Sequence, residues 1–126
     1  MGESKTSLGT IAVPKSIMHD IVLSAIEKTD GKARLGNAKL RVGFLVNDAG
    51  NCISYEWNDN RLSMEVCIII QFGNSISRVA DQIIEEIFDG CENIIGTVPE
   101  NIKVIVTGTD SGGKLIRRDI EIERKR

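Results

Sequence analysis

The residues from Gly108 to Lys114 come nearest to a known chemical motif. Their sequence, GTDSGGK, matches the G-x-x-x-x-G-K part of a phosphate-binding loop, in which backbone N–H groups and the lysine hold phosphates. Position 115 is Leu, so the hydroxyl group that would bind Mg²⁺ is missing. The residues that follow have a strand pattern rather than that of a helix whose N-terminus would hold the anion. We therefore interpret the motif as a glycine-rich hairpin turn and expect no cofactor.

The other reactive side chains are scattered along the chain. His19 is the only histidine, and neither a second histidine nor a cysteine pair lies near it in the sequence to complete a zinc site. Cys52, Cys67 and Cys91 are odd in number and far apart, which argues against a disulfide framework and a zinc knuckle and favours a reducing, cytoplasmic location. We predict no catalytic residues, no metal site and no enzymatic activity.

Two further groups of residues could bind a ligand. Acidic side chains recur at helical spacing from Asp81 to Glu92, and we interpret them as a solvated helix face. Tyr55 and Trp57 alternate on a predicted strand and could stack bases. The stretch before that strand is locally basic through Lys28, Lys32, Arg34, Lys39 and Arg41. A small RNA- or nucleotide-binding module is therefore the alternative function, although nucleic acid is disfavoured because the body of the protein is acidic and repels phosphate.

The elements that would position such groups centre on residues 61–96. From Leu62 to Phe72, apolar side chains occupy every second position, which predicts a strand with one buried face. After Gly73 the apolar spacing changes to three and four residues, which predicts a helix from about Ser75 to Ile95 that is closed by Gly96.

The flanking segments supply the rest of the predicted fold. Pro14 opens a helix that runs to about Thr29. Further strands are predicted at residues 9–13, 39–46, 52–57, 102–108 and 115–123. This pattern predicts an α+β two-layer sandwich, with two helices on one face of a mainly antiparallel sheet in the order β-α-β-β-β-α-β and an optional C-terminal edge strand. Residues 1–8 would be a flexible lead-in, residues 9–108 a single domain, and residues 109–126 a hairpin turn followed by a basic strand or tail.

Length and charge agree with a single soluble domain. The chain has 126 residues and a net charge of -2, and no apolar run approaches the roughly 20 residues of a membrane span. Residues 114–126 carry six basic and three acidic side chains, so a basic C-terminal segment follows an acidic body. Such a segment could attract an acidic partner or a membrane surface.

Three stretches, in order, resemble one known family. The opening GTIAVPKSIMHDI, which leads to Asp30-Gly31, is similar to the first strand and helix of the alkaline shock protein family. The strand that ends at Gln71-Phe72-Gly73, followed by SISRVA, looks like that family's strand-glycine-helix signature. The stretch NIKVIVTG, ending at Gly108, resembles its closing strand, so the likeness covers most of the chain. Lys32 and the extra strand at 52–57 depart from the family pattern.

The resemblance implies a function without catalysis. Family members are cell-envelope stress-response proteins of Gram-positive bacteria that often self-associate. Some are held at the inner face of the membrane by a membrane-anchored partner, and others are cytoplasmic. We therefore expect a self-associating scaffold or adaptor, a homo-oligomer that is cytoplasmic or peripheral at the inner membrane face. Its predicted interaction surface is formed by Cys67, Ile69 and Ile105, on the sheet face opposite the core, or by a free sheet edge.

Overall fold

The computed structural model describes residues 13–38 and 52–126. The described helices and strands follow one another in this order: α1 Lys15–Glu27, β1 Ala33–Leu35, β2 Ile53–Asn58, β3 Arg61–Gln71, α2 Ile76–Gly90, β4 Asn101–Ser111 and β5 Lys114–Lys125. The five strands form one sheet in the order β1-β3-β4-β5, and β2 pairs with β3 on the same side as β1. Three of the four strand pairings are antiparallel, so the predicted α+β sandwich with a mainly antiparallel sheet is confirmed.

Helix α1 begins where the sequence predicted. Pro14 occupies the N-cap position with an extended backbone, and the apolar stripe turns inward, so that Met18 and Val22 are completely buried. The helix ends after Glu27, and Asp30 and Gly31 follow with φ angles of 56° and 85°. Aspartate and glycine tolerate this left-handed conformation better than other residues, which explains why the chain turns there.

A tight hairpin joins β2 and β3. Asn58 pairs with Arg61, and the two residues between them, Asp59 and Asn60, have φ angles of 57° and 72°. Positive φ at both central positions is typical of the type I′ turn, whose twist matches that of the flanking strands. The strands predicted at 52–57 and 61–72 are therefore present as Ile53–Asn58 and Arg61–Gln71, and β3 ends one residue before Phe72.

Strand β1 was not predicted. Ala33–Leu35 pairs antiparallel with β3, from Ile68 to Ile70. Three residues are too short a run for an apolar period to show, so the sequence carried no signal for this strand. The strands predicted at 9–13 and 39–46 and the lead-in at 1–8 lie outside the described residues, except for Val13, which precedes α1 without strand structure.

Strands β3 and β4 are parallel and are connected through α2. The Ser75 hydroxyl accepts a hydrogen bond from the Arg78 amide at 3.4 Å, as expected of an N-cap residue. Beyond Gly90 the helix continues as a π-helical turn, Cys91–Ile95, which ends at Gly96 with φ 81°. The Gly96 amide donates to the Cys91 carbonyl at 2.9 Å, so the predicted closure of the helix by this glycine is confirmed.

The core lies between the helices and one face of the sheet. Alternate residues of β3 and β4 meet the apolar sides of both helices, and Ile68, Ile84, Ile87 and Val104 are fully buried. The helices cross where α2 carries Gly90: a β-carbon there would lie 2.9 Å from the Ile21 Cγ2 atom. The sheet face turned away from the helices is called the open face below.

After β1 the chain crosses over β3 on the open face. At Gly36 a β-carbon would lie 2.5 Å from Ile69 Cδ1, so the backbone rests directly on that side chain. The described part of the crossing reaches Thr107, an extra residue in β4 that interrupts the register between β3 and β4. The Thr107 hydroxyl accepts from the Ala38 amide at 2.9 Å and lies 3.0 Å from the Gly36 carbonyl oxygen and 3.1 Å from the Ile68 carbonyl oxygen. One buried hydroxyl therefore joins the crossing segment to both strands.

We expect Thr107→Val to destabilise the fold by roughly 1 to 3 kcal/mol. Valine has nearly the same shape but leaves the Ala38 amide without the acceptor that it has in the folded state, in a position that is 1% exposed. Urea denaturation measures the effect. Thr107→Ser is the matched control, because it keeps the hydroxyl and should recover most of the loss. A valine variant as stable as the wild type would show that this hydroxyl does not hold the crossing.

Candidate functional site

The glycine-rich motif is a hairpin turn. Gly112 and Gly113, with φ angles of 59° and 89°, link β4 to β5, and Ser111 pairs with Lys114. Residues Lys114–Lys125 form a strand that is antiparallel to β4, so the hairpin interpretation is confirmed and the C-terminal segment is a strand at the edge of the described sheet. The lysine is thus on a strand, where no helix N-terminus follows it to hold a phosphate.

Asp110 ties this hairpin to β1. Its carboxylate accepts from the Arg34 guanidinium at 2.8 Å and from the Gly113 amide at 2.9 Å. The hydrogen bond from Arg34 and, after it, that from the Gly113 amide lower the pKa of the Asp110 carboxyl below its ordinary value. Asp110 therefore stays ionised, and its carboxylate stabilises the turn through these two hydrogen bonds.

The acidic side chains of α2 meet the basic C-terminus. Arg124 lies 2.6 Å from Asp81, and Arg126 lies 2.9 Å from Glu85. Both arginine side chains lie on the face of β5 that is turned toward the helices. The interpretation of the whole row as a solvated face is therefore incomplete, since two of its carboxylates hold the last strand against α2. Both pairs are about half exposed and each contributes at most about 1 kcal/mol.

Cys91 is a core residue, as the sequence predicted. It is fully buried, and its Sγ lies 3.9 Å from the Met64 sulfur atom. Burial raises the pKa of the Cys91 thiol from 9.0 to about 11, because a thiolate is poorly solvated in the core. A thiol held protonated is a weak nucleophile, so the environment of Cys91 is structural rather than catalytic.

The raised pKa of Cys91 makes a testable contribution to alkaline stability. The unfolded thiol ionises near pH 9.0 while the folded thiol keeps its proton until about pH 11. The unfolded state therefore binds fewer protons in this window. The contribution of Cys91 to stability is fully present below pH 9 and is lost as the pH rises toward 11. We expect the wild type to lose roughly 2 kcal/mol more than Cys91→Ala over this range, as measured by urea denaturation at each pH. Equal losses in the two proteins would contradict the assignment.

His19 lies partly inside the structure rather than on a fully solvated surface. It is half-buried, and within residues 13–38 and 52–126 its Nε2 atom has no hydrogen-bond partner. No His, Cys, Asp or Glu residues of the described part are grouped in a way that could hold a metal ion.

The predicted interaction surface is only partly brought together. Cys67 and Ile105 are direct register partners on the open face, and both are half-buried. Ile69 follows on the same strand but is only 6% exposed, because Gly36 covers it. A variant such as Ile69→Lys would therefore disturb the fold rather than probe a surface. That these three residues form an interaction surface stays a prediction.

The open face beside these residues is polar. A shallow groove of about 190 Å³ crosses β2, β3 and β4 and is lined by Glu56, Glu65 and Lys103, among others. Lys103 is 3.6 Å from Glu121 on β5. Polar side chains are what an uncovered face of an antiparallel sheet should carry.

The aromatic and basic residues of the alternative function are separated. Tyr55 and Trp57 pack against the core, on the face toward the helices. Arg34 pairs with Ile69, whereas Tyr55 pairs with Met64, five residues away along β3, which is about 17 Å at the usual rise of a strand. Arg41 lies outside the described residues. Lys32 and Arg34 therefore do not join Tyr55 and Trp57 in one pocket, which disfavours the nucleic-acid alternative.

Two exposed side chains were not anticipated. Phe72 was predicted on the buried face of β3, but it comes after the last strand residue and is 59% exposed. Leu115, next to the hairpin turn, is 44% exposed. The only sequence signal for Phe72 was Gly73, whose φ of 99° turns the chain away from the sheet before the aromatic ring can be covered.

Comparisons with known proteins agree with the three resembling stretches. In the described part of the chain no helix is long and apolar enough to cross a membrane. No curated protein and no solved structure matches the sequence significantly. The profile of the alkaline shock protein 23 family, described by its cell envelope-related function, matches residues 3–111 and confirms the suspected family. The chain therefore belongs to the alkaline shock protein 23 family, and its function is related to the cell envelope.

Proposed function

We propose that the protein is a non-enzymatic scaffold or adaptor of the cell envelope that self-associates through the outer edge of β5. The observation that carries this proposal is the length and position of that strand: β5 has 12 residues and is the last strand of the described sheet, and no described strand pairs with its outer side. An open strand edge presents a row of backbone donors and acceptors that a second strand can complete. In this proposal the protein is cytoplasmic, and a membrane-anchored protein partner recruits it to the inner membrane face.

The absence of catalysis is part of the proposal, and it is supported by the structural roles of the reactive groups. Asp110 holds a hairpin turn, Asp81 and Glu85 hold the C-terminal strand, and the Cys91 thiol is kept protonated in the core. A catalytic site needs a nucleophile or base with a substrate site beside it. These side chains are instead engaged in holding the fold.

The hydrogen-bond pattern shows which backbone groups of β5 face outward. The Arg126 amide donates to the Glu100 carbonyl at 3.1 Å, and in an antiparallel pair bonded and non-bonded residues alternate. Ile122 and Arg124 therefore direct their backbone groups toward β4, while Glu121 and Glu123 direct theirs away from β4. In its second half the outer edge thus offers the N–H and C=O groups of Glu121, Glu123 and Lys125.

Charge along the edge favours a second copy in the antiparallel direction. The first half of β5 is basic through Lys114, Arg117 and Arg118, whereas in the second half Glu121 and Glu123 are balanced by Arg124 and Lys125. Two antiparallel β5 strands place the basic half of one copy opposite these glutamates of the other. Opposite charges across neighbouring strands are stabilising, whereas a parallel pairing would set like charges side by side. These charges also keep the edge soluble until it meets a matching strand.

Glu123→Pro tests the proposal. Proline removes an N–H that faces outward and so should leave the β4–β5 pairing intact while blocking a strand on the other side. We expect the wild type to form dimers or larger oligomers at micromolar concentration in light scattering, and Glu123→Pro to associate at least tenfold more weakly.

Two further variants complete this experiment. Glu123→Ala loses the same carboxylate but keeps the N–H, so it should still associate. Ile122→Pro removes an N–H that bonds to β4 and should lower the thermal stability instead. A wild type that is monomeric, or a well-folded Glu123→Pro variant that associates as the wild type does, would contradict self-association through this edge.

A further inference from the structure

Exposed apolar and basic side chains lie at the end of the sheet that carries the β4–β5 hairpin. This group is called the hairpin-end patch, and it consists of Lys32, Arg34, Phe72, Lys114, Leu115 and Arg117. Neighbouring strands bring these residues together. The Gln71 amide donates to the Lys32 carbonyl at 2.8 Å, and the Phe72 amide donates to the Asp110 carbonyl at 2.8 Å. Asp110 in turn pairs with Leu115, so the patch spans about three strand spacings of ~4.8 Å.

The apolar part of the patch is unusually exposed for this protein. Phe72 is 59% and Leu115 is 44% exposed, and Ile116, the next residue along β5, is 36% exposed. Leu115 also packs close to the backbone of Gly108, where a β-carbon would lie 3.1 Å from Leu115 Cδ1. The packing against Gly108 therefore holds Leu115 in place at the end of the strand.

The charge of the patch is positive although the whole chain is acidic. Within it, Arg34 is matched by Asp110, with 2.8 Å between their nitrogen and oxygen atoms. Lys32, Lys114 and Arg117 are exposed and have no ion-pair partner among the described residues. Leu115 and Arg117 lie on the open face and Lys114 on the face toward the helices. The three cations and the exposed apolar side chains therefore share the end of the sheet, in a protein whose net charge is -2.

We propose that the hairpin-end patch docks on the surface of an anionic lipid bilayer. Basic side chains are attracted to anionic headgroups, and an exposed aromatic or leucine side chain can enter the boundary between headgroups and acyl chains. Gly112 and Gly113 at the turn have no side chains, so the strand ends can approach the surface closely. The α2 carboxylates that pair with Arg124 and Arg126, and the carboxylates of the groove on the open face, lie toward the opposite end of the sheet.

A bilayer fits the patch better than a nucleic acid does. Phosphates of RNA would satisfy the three cations, but single-stranded RNA is usually held by several aromatic rings on which bases stack. Among the aromatic residues that the structure describes, only Phe72 is available beside the cations, because Tyr55, Trp57 and Phe88 pack in or against the core. The remaining exposed side chains, Leu115 and Ile116, are aliphatic and match acyl chains.

Vesicle sedimentation tests this proposal. The purified full chain is mixed with vesicles of phosphatidylcholine alone and with vesicles that also contain phosphatidylglycerol. We expect binding to the anionic vesicles only, and weaker binding at high salt, since the attraction of the cations is screened. Lys114→Glu should weaken binding at least fivefold, and Phe72→Ser should weaken it without any change in net charge.

The matched control is Lys125→Glu, which makes the same change of charge on the same strand but at the other end of the sheet. It should bind anionic vesicles nearly as the wild type does. Equal effects of Lys114→Glu and Lys125→Glu would overturn the proposal, because they would show a response to net charge and not to this patch. No binding to anionic vesicles would overturn it as well, and binding to polyuridine without binding to vesicles would assign the patch to nucleic acid instead.

Discussion

Replacing Ile84 with Asp is expected to unfold the protein. Ile84 lies in the middle of α2, is completely buried and faces the sheet. The substitution removes an apolar side chain whose burial contributes roughly 1.5 to 3 kcal/mol, and it places a carboxylate among apolar groups that cannot pair with it. The free energy of unfolding of a domain of this size is about 5 to 15 kcal/mol in total. Circular dichroism at neutral pH should show loss of the folded signal, or a urea midpoint shifted close to zero.

Glu85→Ala is the control for this prediction. Glu85 follows Ile84 directly but points to the surface, where it pairs with Arg126 at 2.9 Å. Since exposed ion pairs contribute little, the variant should lose at most about 1 kcal/mol. If the two substitutions had the same effect, the buried side of α2 would be wrongly assigned.

Phe88→Ala is expected to have the next largest effect, a loss of about 3 to 5 kcal/mol in the free energy of unfolding. Phe88 is 2% exposed and is among the largest buried side chains in the described part of the protein. Its truncation leaves a cavity between α2 and the sheet that the surrounding isoleucines and valines can fill only partly. Urea denaturation at 25 °C gives the value directly.

Part of that effect could come from Arg126, whose guanidinium carbon lies 4.3 Å from the centre of the Phe88 ring. Arg126→Ala separates the two contributions. It removes the contact between the cation and the ring together with the pairing to Glu85, and we expect it to cost about 1 kcal/mol or less because the arginine is exposed. A loss from Arg126→Ala as large as that from Phe88→Ala would show that the C-terminus, and not the filling of the core, stabilises this region.

The central strand and helix could be predicted because each has a repeating pattern. From Leu62 to Ile70 every second side chain is buried, and along α2 the buried residues recur from Val79 to Phe88 at steps of three and four. Turn residues could be predicted for a related reason. Gly96 and Gly113 adopt positive φ angles, which glycine adopts without strain.

The family, too, could be suspected from sequence. The three stretches that carry the resemblance are local, each a strand or helix with its turn, and they lie within the matched residues 3–111. That resemblance pointed to the cell envelope before any contact was known. The self-association and the membrane partner that it implies remain proposals.

The sequence by itself thus determined the helices, most of the strands and the buried side of each, because those features follow from periodicities of two and of about 3.6 residues. The tertiary structure alone decided which distant residues meet. Arg34 pairs with Asp110, 76 positions away, and Arg124 pairs with Asp81 on α2. The Thr107 hydroxyl hydrogen-bonds to the crossing segment at Gly36. The tertiary structure also decided that Ile69 is covered and that Phe72 is exposed. The physical reason is that these outcomes depend on the order and register of strands, which are set by closing long loops and packing one core, and no local pattern of residues encodes them.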